Sequence, residues 1–349
     1  GLVGSEMCIR DSFSALEHGL SVVSANKDLV ALYGPDIIHK AIENHVNFSC
    51  EASVGGGIPI LMPLHQSLAA NQIESIVGIL NGTTNYILSQ MTETGVNYAN
   101  ALADAQKQGF AEADPTNDVC GFDAARKLAI LSSIGFRANV TFDDVLVEGI
   151  EKIDKSDIQY AKDMGYTIKL LTVALRQENG IALNVYPAFL PDNHPLSSVK
   201  GAYNAIYVTG NIVDDVMFYG RGAGALPTAS AVMGDVISTA QHILNGSTGT
   251  GMIMTDTKRI PFYSSLKLQN SYYFRLDVDD VTGVLSQIAA AFAENDISIC
   301  EVVQKRKTKG LAELVLITEL ASRESILQVE KALQVLPCMR KVANVIRVM

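Results

Sequence analysis

The chain has 349 residues, 48% apolar and 18% charged, with 27 glycines and a net charge of -10. That acidity leaves no basic stripe to neutralise phosphates, which argues against nucleic acid, and no uninterrupted apolar run reaches the roughly 18 residues of a membrane span. Five scattered cysteines without a C-x-x-C pair suit a reducing cytoplasm, and six histidines with no pair at metal spacing argue against zinc.

Residues 1–12 show no apolar periodicity and read as a non-native leader outside the fold. Residues 21–25 read as a short strand, 33–44 as a helix and 46–51 as a second strand, which makes 13–51 an alternating α/β unit. Through 52–246, strand-like runs at 73–80 and 180–186 alternate with helical stretches as an α+β layer. Asp114-Pro115 marks a stop and a helix start, since proline fits a first helical turn and acids favour that end; the helix is expected to run to Gly135. Residues 228–244 read as a long helix, and a Gly/Ser/Thr-rich stretch opens a linker over 247–270 across which few contacts should pass. From 272 the order is strand (272–276), helix (284–294), strand (297–304), strand (312–318), helix (323–334), strand (342–348). Lys305-Arg306-Lys307, the densest basic cluster, reads as a solvated turn.

Asp123 and Lys127 are four residues apart and share a helix face with Ile130 and Ile134. An isolated pair at this spacing is ordinarily a solvated salt bridge worth about 0.3–0.5 kcal/mol. Here the pair heads into an apolar stripe behind the acidic, glycine-rich lead-in 109–114. A partly buried lysine beside a carboxylate can exchange protons with a substrate, helped if burial draws its pKa toward neutral.

The run GFAEADPTNDVCGFDAARKLAIL resembles the substrate-site signature of the homoserine dehydrogenases. Four further segments agree with it in the family's order: Ala25-Asn26-Lys27, EASVGGGIP at 51–59, NGTTN at 81–85 and GRGAG at 220–224. Together they cover nearly the whole chain. The resemblance implies a fold of both α/β and α+β character, with a remnant of a Rossmann-type nucleotide-binding domain (13–51), a substrate and dimerisation domain (52–246) and a C-terminal domain (271–349). The βαββαβ order of that last domain resembles the amino-acid-sensing ACT module. The family begins with about a hundred more residues carrying a G-x-G-x-x-G turn, which is absent here, so the chain reads as N-terminally truncated.

The implied reaction is NAD(P)-dependent interconversion of L-aspartate 4-semialdehyde and L-homoserine, in the biosynthesis of threonine, methionine and isoleucine. By resemblance Lys127 is the proton donor and acceptor, and Lys27 lies near the nicotinamide to stabilise oxyanion charge. Glu112 and Asp123 hold the substrate's amino end, with Thr83 and Asp114 in the same site, while Gly109 and Gly224 let the backbone approach the cofactor. A structural sodium ion is implied at the main-chain carbonyls of Glu51, Val54, Gly56 and Ile58. The sensing site is implied at Asp279, Gly283, Val284, Asn295 and Ile297, with threonine as effector and Thr282 in place of the usual proline. Phe110 stands where the family commonly has tyrosine. A homo-oligomer is expected. Read without the resemblance, Glu112 is an ordinary first-turn acid, 81–85 a plain helix cap in which Thr83 or Thr84 serves, and the glycines tight turns. Two rivals remain at this point: a catalytically inactive amino-acid-sensing fragment, which would have no need of Glu112, Asp123 and Lys127, and another amino-acid dehydrogenase of similar architecture.

Overall fold

The computed structural model describes residues 2–250, 254, 258, 260–308 and 310–349, so Gly1 of the expected leader and 251–253, 255–257 and 259 of the expected linker lie outside the described residues. The chain opens with α1 (Leu2–Glu17), β1 (Val22–Val23), α2 (Lys27–Glu43) and β2 (Phe48–Ser49). Residues 2–12, set outside the fold by their sequence, are therefore helical. Farther along the same helix Leu16 is fully buried, and Ile9 and Phe13 pack against the main core. β1 and β2 pair in parallel around α2, giving the α/β unit expected of this stretch. The Asn26 side chain accepts from the Asp28 and Leu29 N–H groups, so α2 starts at Lys27, ahead of residue 33.

The middle of the chain runs β3 (Ile73–Ile79), α3 (Gly82–Thr94), α4 (Tyr98–Lys107), α5 (Thr116–Val119), α6 (Phe122–Gly135), β4 (Leu146–Val147), α7 (Lys155–Asp163), β5 (Tyr166–Gln177), β6 (Gly180–Pro191), β7 (Tyr203–Gly210), β8 (Asp214–Arg221) and α8 (Ala225–Leu244). The single helix expected from Pro115 to Gly135 is two. Gly121 at φ 85° breaks it, and a Cβ there would also press on Val147 and Val185 at 3.1 Å each. α8 exposes Leu226, Met233, Ile237, Ile243 and Leu244. None of the described helices is long and apolar enough to cross a membrane.

The last part runs β9 (Gln269–Asp279), α9 (Val284–Ala293), β10 (Ile299–Thr308), β11 (Leu311–Thr318), β12 (Ala321–Ser322), α10 (Arg323–Gln334) and β13 (Met339–Val348), which is the expected βαββαβ order with one short extra strand. Lys305, Arg306 and Lys307 lie in β10, paired with β11, and not in a turn. Successive residues of a strand face opposite sides, and β9 uses this fully. Tyr272, Phe274, Leu276 and Val278 enter a separate core with α9 and α10, while Tyr273 and Arg275 face the body of the protein.

The boundary between the two regions is not sparsely crossed. β13 pairs in parallel with β6 through Arg347–Ala188 and Val348–Phe189, joining both sheets in the order β10-β11-β9-β13-β6-β5-β3-β7-β8. Beneath this seam Asp157, fully buried, accepts from Arg275 Nε at 2.8 Å, Asn344 Nδ2 at 2.8 Å and the Tyr273 hydroxyl at 3.2 Å. Arg275 also pairs with Asp154 and, at 3.5 Å, with Glu313. Burial works to lower the Arg275 pKa, but Asp157 outweighs it and the guanidinium is held charged.

Removing one partner of this cluster strands a buried charge, whereas removing both does not. Arg275→Met is expected to lower unfolding stability in urea by roughly 3–5 kcal/mol, and the Asp157→Leu/Arg275→Met pair to recover most of that loss. Equal losses in the single and double variants would contradict the assignment.

Candidate active site

Four elements deliver the site. Lys27 is the first residue of α2, Asn81 caps α3 at the end of β3, Asp118 lies in the single turn of α5, and Asp123 and Lys127 lie one turn apart on α6. Their side chains converge on one carboxylate. Asp123 Oδ1 lies 2.9 Å from Lys27 Nζ, and its Oδ2 lies 2.7 Å from Lys127 Nζ and accepts from Asn81 Nδ2 at 2.9 Å. Asn81 Nδ2 also donates to Asp118 Oδ1 at 2.7 Å, and Lys127 Nζ to the Leu80 carbonyl at 3.0 Å. The lysines differ in access: the Lys127 side chain is 13% exposed, that of Lys27 36% and that of Asp123 9%.

A lysine is poorly placed at the positive end of a helix, so Lys27 at the start of α2 runs against the helix dipole. Its pairing with Asp123 offsets that cost. Burial tends to lower the Lys27 pKa, but attraction to Asp123 prevails and raises it. Burial likewise pushes against ionisation of Asp123, but Lys127 and Lys27 overcome it and hold the carboxyl well below the usual range. Asp118 goes the other way: burial raises its pKa, opposed by its bond from Asn81 and reinforced by the charge of Asp123.

The other expected site residues divide. Asn81, not Thr83 or Thr84, caps α3, accepting from Thr84 N at 2.8 Å, while Thr83 Oγ1 donates to the Phe110 carbonyl at 2.5 Å. Among the described residues the Gly82 and Thr83 N–H groups have no partner, as at any helix start, and so remain available to an anion. Glu112 is exposed and its side chain joins no hydrogen bond to the cluster; only its carbonyl is engaged, by Gln106. Asp114 is also exposed, and its carboxylate caps Thr116, which lowers its pKa. A Cβ on Gly109 would meet nothing within 4 Å, so its positive φ of 78° and not crowding requires glycine there. Gly224, at φ 120°, opens the 20-residue α8 with no side-chain cap, and among the described residues the Ala225 and Leu226 N–H groups have no partner. Asn81 and Asp118 lie in the NGTTN and 109–131 segments, whose sequence reading gives neither a role. Their signal was an amide at a helix start and an acid five residues before Asp123.

The turn at 51–58 carries Gly55 and Gly56, both at positive φ, and a Cβ on Gly56 would meet the Gly222 carbonyl at 2.5 Å. Among the described residues no N–H bonds to the carbonyls of Val54, Gly56 or Ile58. The Glu51 carboxylate instead receives the Ile60, Leu61 and Met62 N–H groups. In the C-terminal region Arg340 holds the Asp279 carboxylate at 2.7 and 2.9 Å, Gly283 opens α9 at φ 90°, Val284 and Ile297 are buried, and Asn295 Nδ2 donates to the Ala291 carbonyl.

Because the folded-state pKa of Asp123 lies below its unfolded value of roughly 4, its stabilisation is complete above that pH and is lost on acidification through the lowered value. The stability gap between the parent and Asp123→Asn should therefore be flat near neutrality and shrink as pH falls below about 4. A gap independent of pH would contradict this.

Residues 59–237 match the sequence profile of the family described as homoserine dehydrogenase, and 272–338 that of the ACT domain. The homoserine dehydrogenase of Mycobacterium tuberculosis is 44% identical over 343 residues, which cover 95% of this chain and 77% of the relative. The crystal structure of a homoserine dehydrogenase from Thiobacillus denitrificans superposes with a TM-score of 0.91 at 37% identity, over 97% of this chain and 78% of that one. A hyperthermophilic archaeal homoserine dehydrogenase mutant in complex with NADPH matches 67% of this chain and 68% of its own at 28% identity, with a TM-score of 0.59. With the acid-bridged lysine pair in place and the motifs in order, the chain belongs to the homoserine dehydrogenase family and ends in an ACT domain.

Proposed function

We propose that the Lys27–Asp123–Lys127 cluster binds L-homoserine or L-aspartate 4-semialdehyde and moves the proton of their interconversion. The observation that carries this reading is one buried carboxylate holding two ammonium groups at 2.9 and 2.7 Å. Two cations and two carboxylates, Asp123 and Asp118, make a neutral cluster that suits a zwitterion. Asp118, with Glu112 at the rim, would take the substrate ammonium, and the free N–H groups of Gly82 and Thr83 its carboxylate.

In the reducing direction Lys127 Nζ gives a proton to the aldehyde oxygen; in reverse its neutral form takes the hydroxyl proton. Lys27, the more exposed cation, faces the oxygen on which negative charge builds. Asp123 fixes both nitrogens and keeps them from drifting apart. NADP or NAD, when bound, supplies or accepts the hydride. The free N–H groups at the start of α8 and the glycines at 222 and 224 fit a phosphate-bearing cofactor, and the relative in complex with NADPH favours NADP.

The carbonyls of Glu51, Val54, Gly56 and Ile58, the last three receiving no N–H among the described residues, suit a hard monovalent cation and support the structural sodium ion. The start of α9, with Asp279, Gly283, Val284, Asn295 and Ile297, is proposed as the effector site, with threonine as ligand. The exposed apolar residues of α8 and of the edge strand β8, among them Tyr219, favour a homo-oligomer, and the composition favours the cytoplasm.

Lys127→Ala should lower the rate of homoserine-dependent NADP reduction by about 10²–10⁴-fold while leaving the thermal melt cooperative. An unchanged rate in a folded variant would move proton transfer to Lys27 or to water.

A further inference from the structure

Lys169, on β5, is 2% exposed and has no carboxylate partner among the described residues. Lysine is seldom buried unpaired. Its ammonium donates to Asn85 Oδ1 at 3.0 Å and to the Val199 carbonyl at 2.5 Å. Asn85, one turn into α3, donates in turn to the carbonyls of Val199, Gly201 and Tyr203 at 3.2, 2.9 and 3.0 Å. Ser89 Oγ receives the Gly201 N–H at 3.1 Å. The carbonyls of the strap 199–203 are thus held from α3 and β5, while its ends are also joined to Leu196 and, through Tyr203, to β8.

What the strap touches gives the tether its meaning. A Cβ on Gly82, the first residue of α3, would stand 2.9 Å from the Ala202 carbonyl, and one on Gly222 would stand 2.0 Å from Asn204 Nδ2. Among the described residues the buried Asn204 amide has no hydrogen-bond partner, so it does not anchor itself. Its seat against Gly222 depends on the pinned strap and on the pairing of β7 with β8.

We propose that Lys169 is a positioning residue: through Asn85 and the 199–203 strap it sets Gly82 at the substrate end of the site and Gly222 in the loop facing the cofactor. This rests on the proposed role of the α3 start in holding the substrate carboxylate. Burial, with a lesser contribution from Lys200, brings the Lys169 pKa down to about 8, so the fold bears the cost of a buried cation near neutrality that an apolar residue would avoid.

Lys169→Met, Lys169→Arg and Lys127→Ala should be compared for homoserine KM and kcat, with hydrogen exchange on α3 and 199–203. The expected result is a KM for homoserine raised about tenfold or more in Lys169→Met with kcat nearly kept, faster exchange in the strap, and partial rescue by arginine. If Lys169→Met does not fold, Asn85→Ser carries the same test and the same expectation. A folded variant with parental KM would overturn the proposal while Lys127→Ala still loses turnover. Parental turnover in Lys127→Ala would instead overturn the site reading beneath it.

Discussion

Everything at the candidate active site is arranged around a single buried carboxylate. Asp123 is nearly inaccessible to water and stays ionised only because two ammonium groups and an amide face it. Removing a carboxylate from water costs several kcal/mol, and that cost is met only where counter-charges sit at hydrogen-bond distance. The requirement fixes three backbone elements at once: the first turn of α2, the end of β3 with its cap Asn81, and the face of α6 that carries Asp123 and Lys127. A lysine at a helix start is unfavourable by itself, and its presence there is a local conflict of the kind that marks functional sites.

The C-terminal domain is attached by comparable physics. Parallel pairing of β13 with β6 makes one sheet of two domains, and the Asp157–Arg275–Asn344 cluster locks the seam below it. α7, which carries Asp157, and β9, which carries Arg275, therefore shift together or at a large energetic cost. A ligand acting where β9 gives way to α9 would bear on a strand whose opposite face holds this cluster.

The features legible in the sequence are those in which local chemistry and final structure agree. Asp123 and Lys127, four residues apart, have to share a helix face, and the βαββαβ pattern follows from alternating runs that tertiary contacts reinforce. Contacts distant in sequence left no such trace. Nothing local pairs Lys27 with Asp123, or Arg275 with Asp157, 118 residues away. The helix break at Gly121 lies in a left-handed backbone where Val147 and Val185 leave a side chain little room, and the early start of α2 in the choice of Asn26 as cap. Residues 2–12 look unpatterned because Ile9 packs on the main core from this stretch, and the rest of the apolar contact described for α1 comes from Phe13 and Leu16. Lys305-Arg306-Lys307 reads as a turn by composition and is a strand because β11 pairs with it.

The central claim is that Lys27 and Lys127 act as one unit through Asp123, and a double-mutant cycle on turnover tests it most directly. Lys27→Ala, Lys127→Ala and the double variant would be compared at saturating homoserine and cofactor. The account predicts strong non-additivity, the double variant being little slower than the worse single one. Losses that multiply independently would mean that the shared carboxylate does not couple the two lysines.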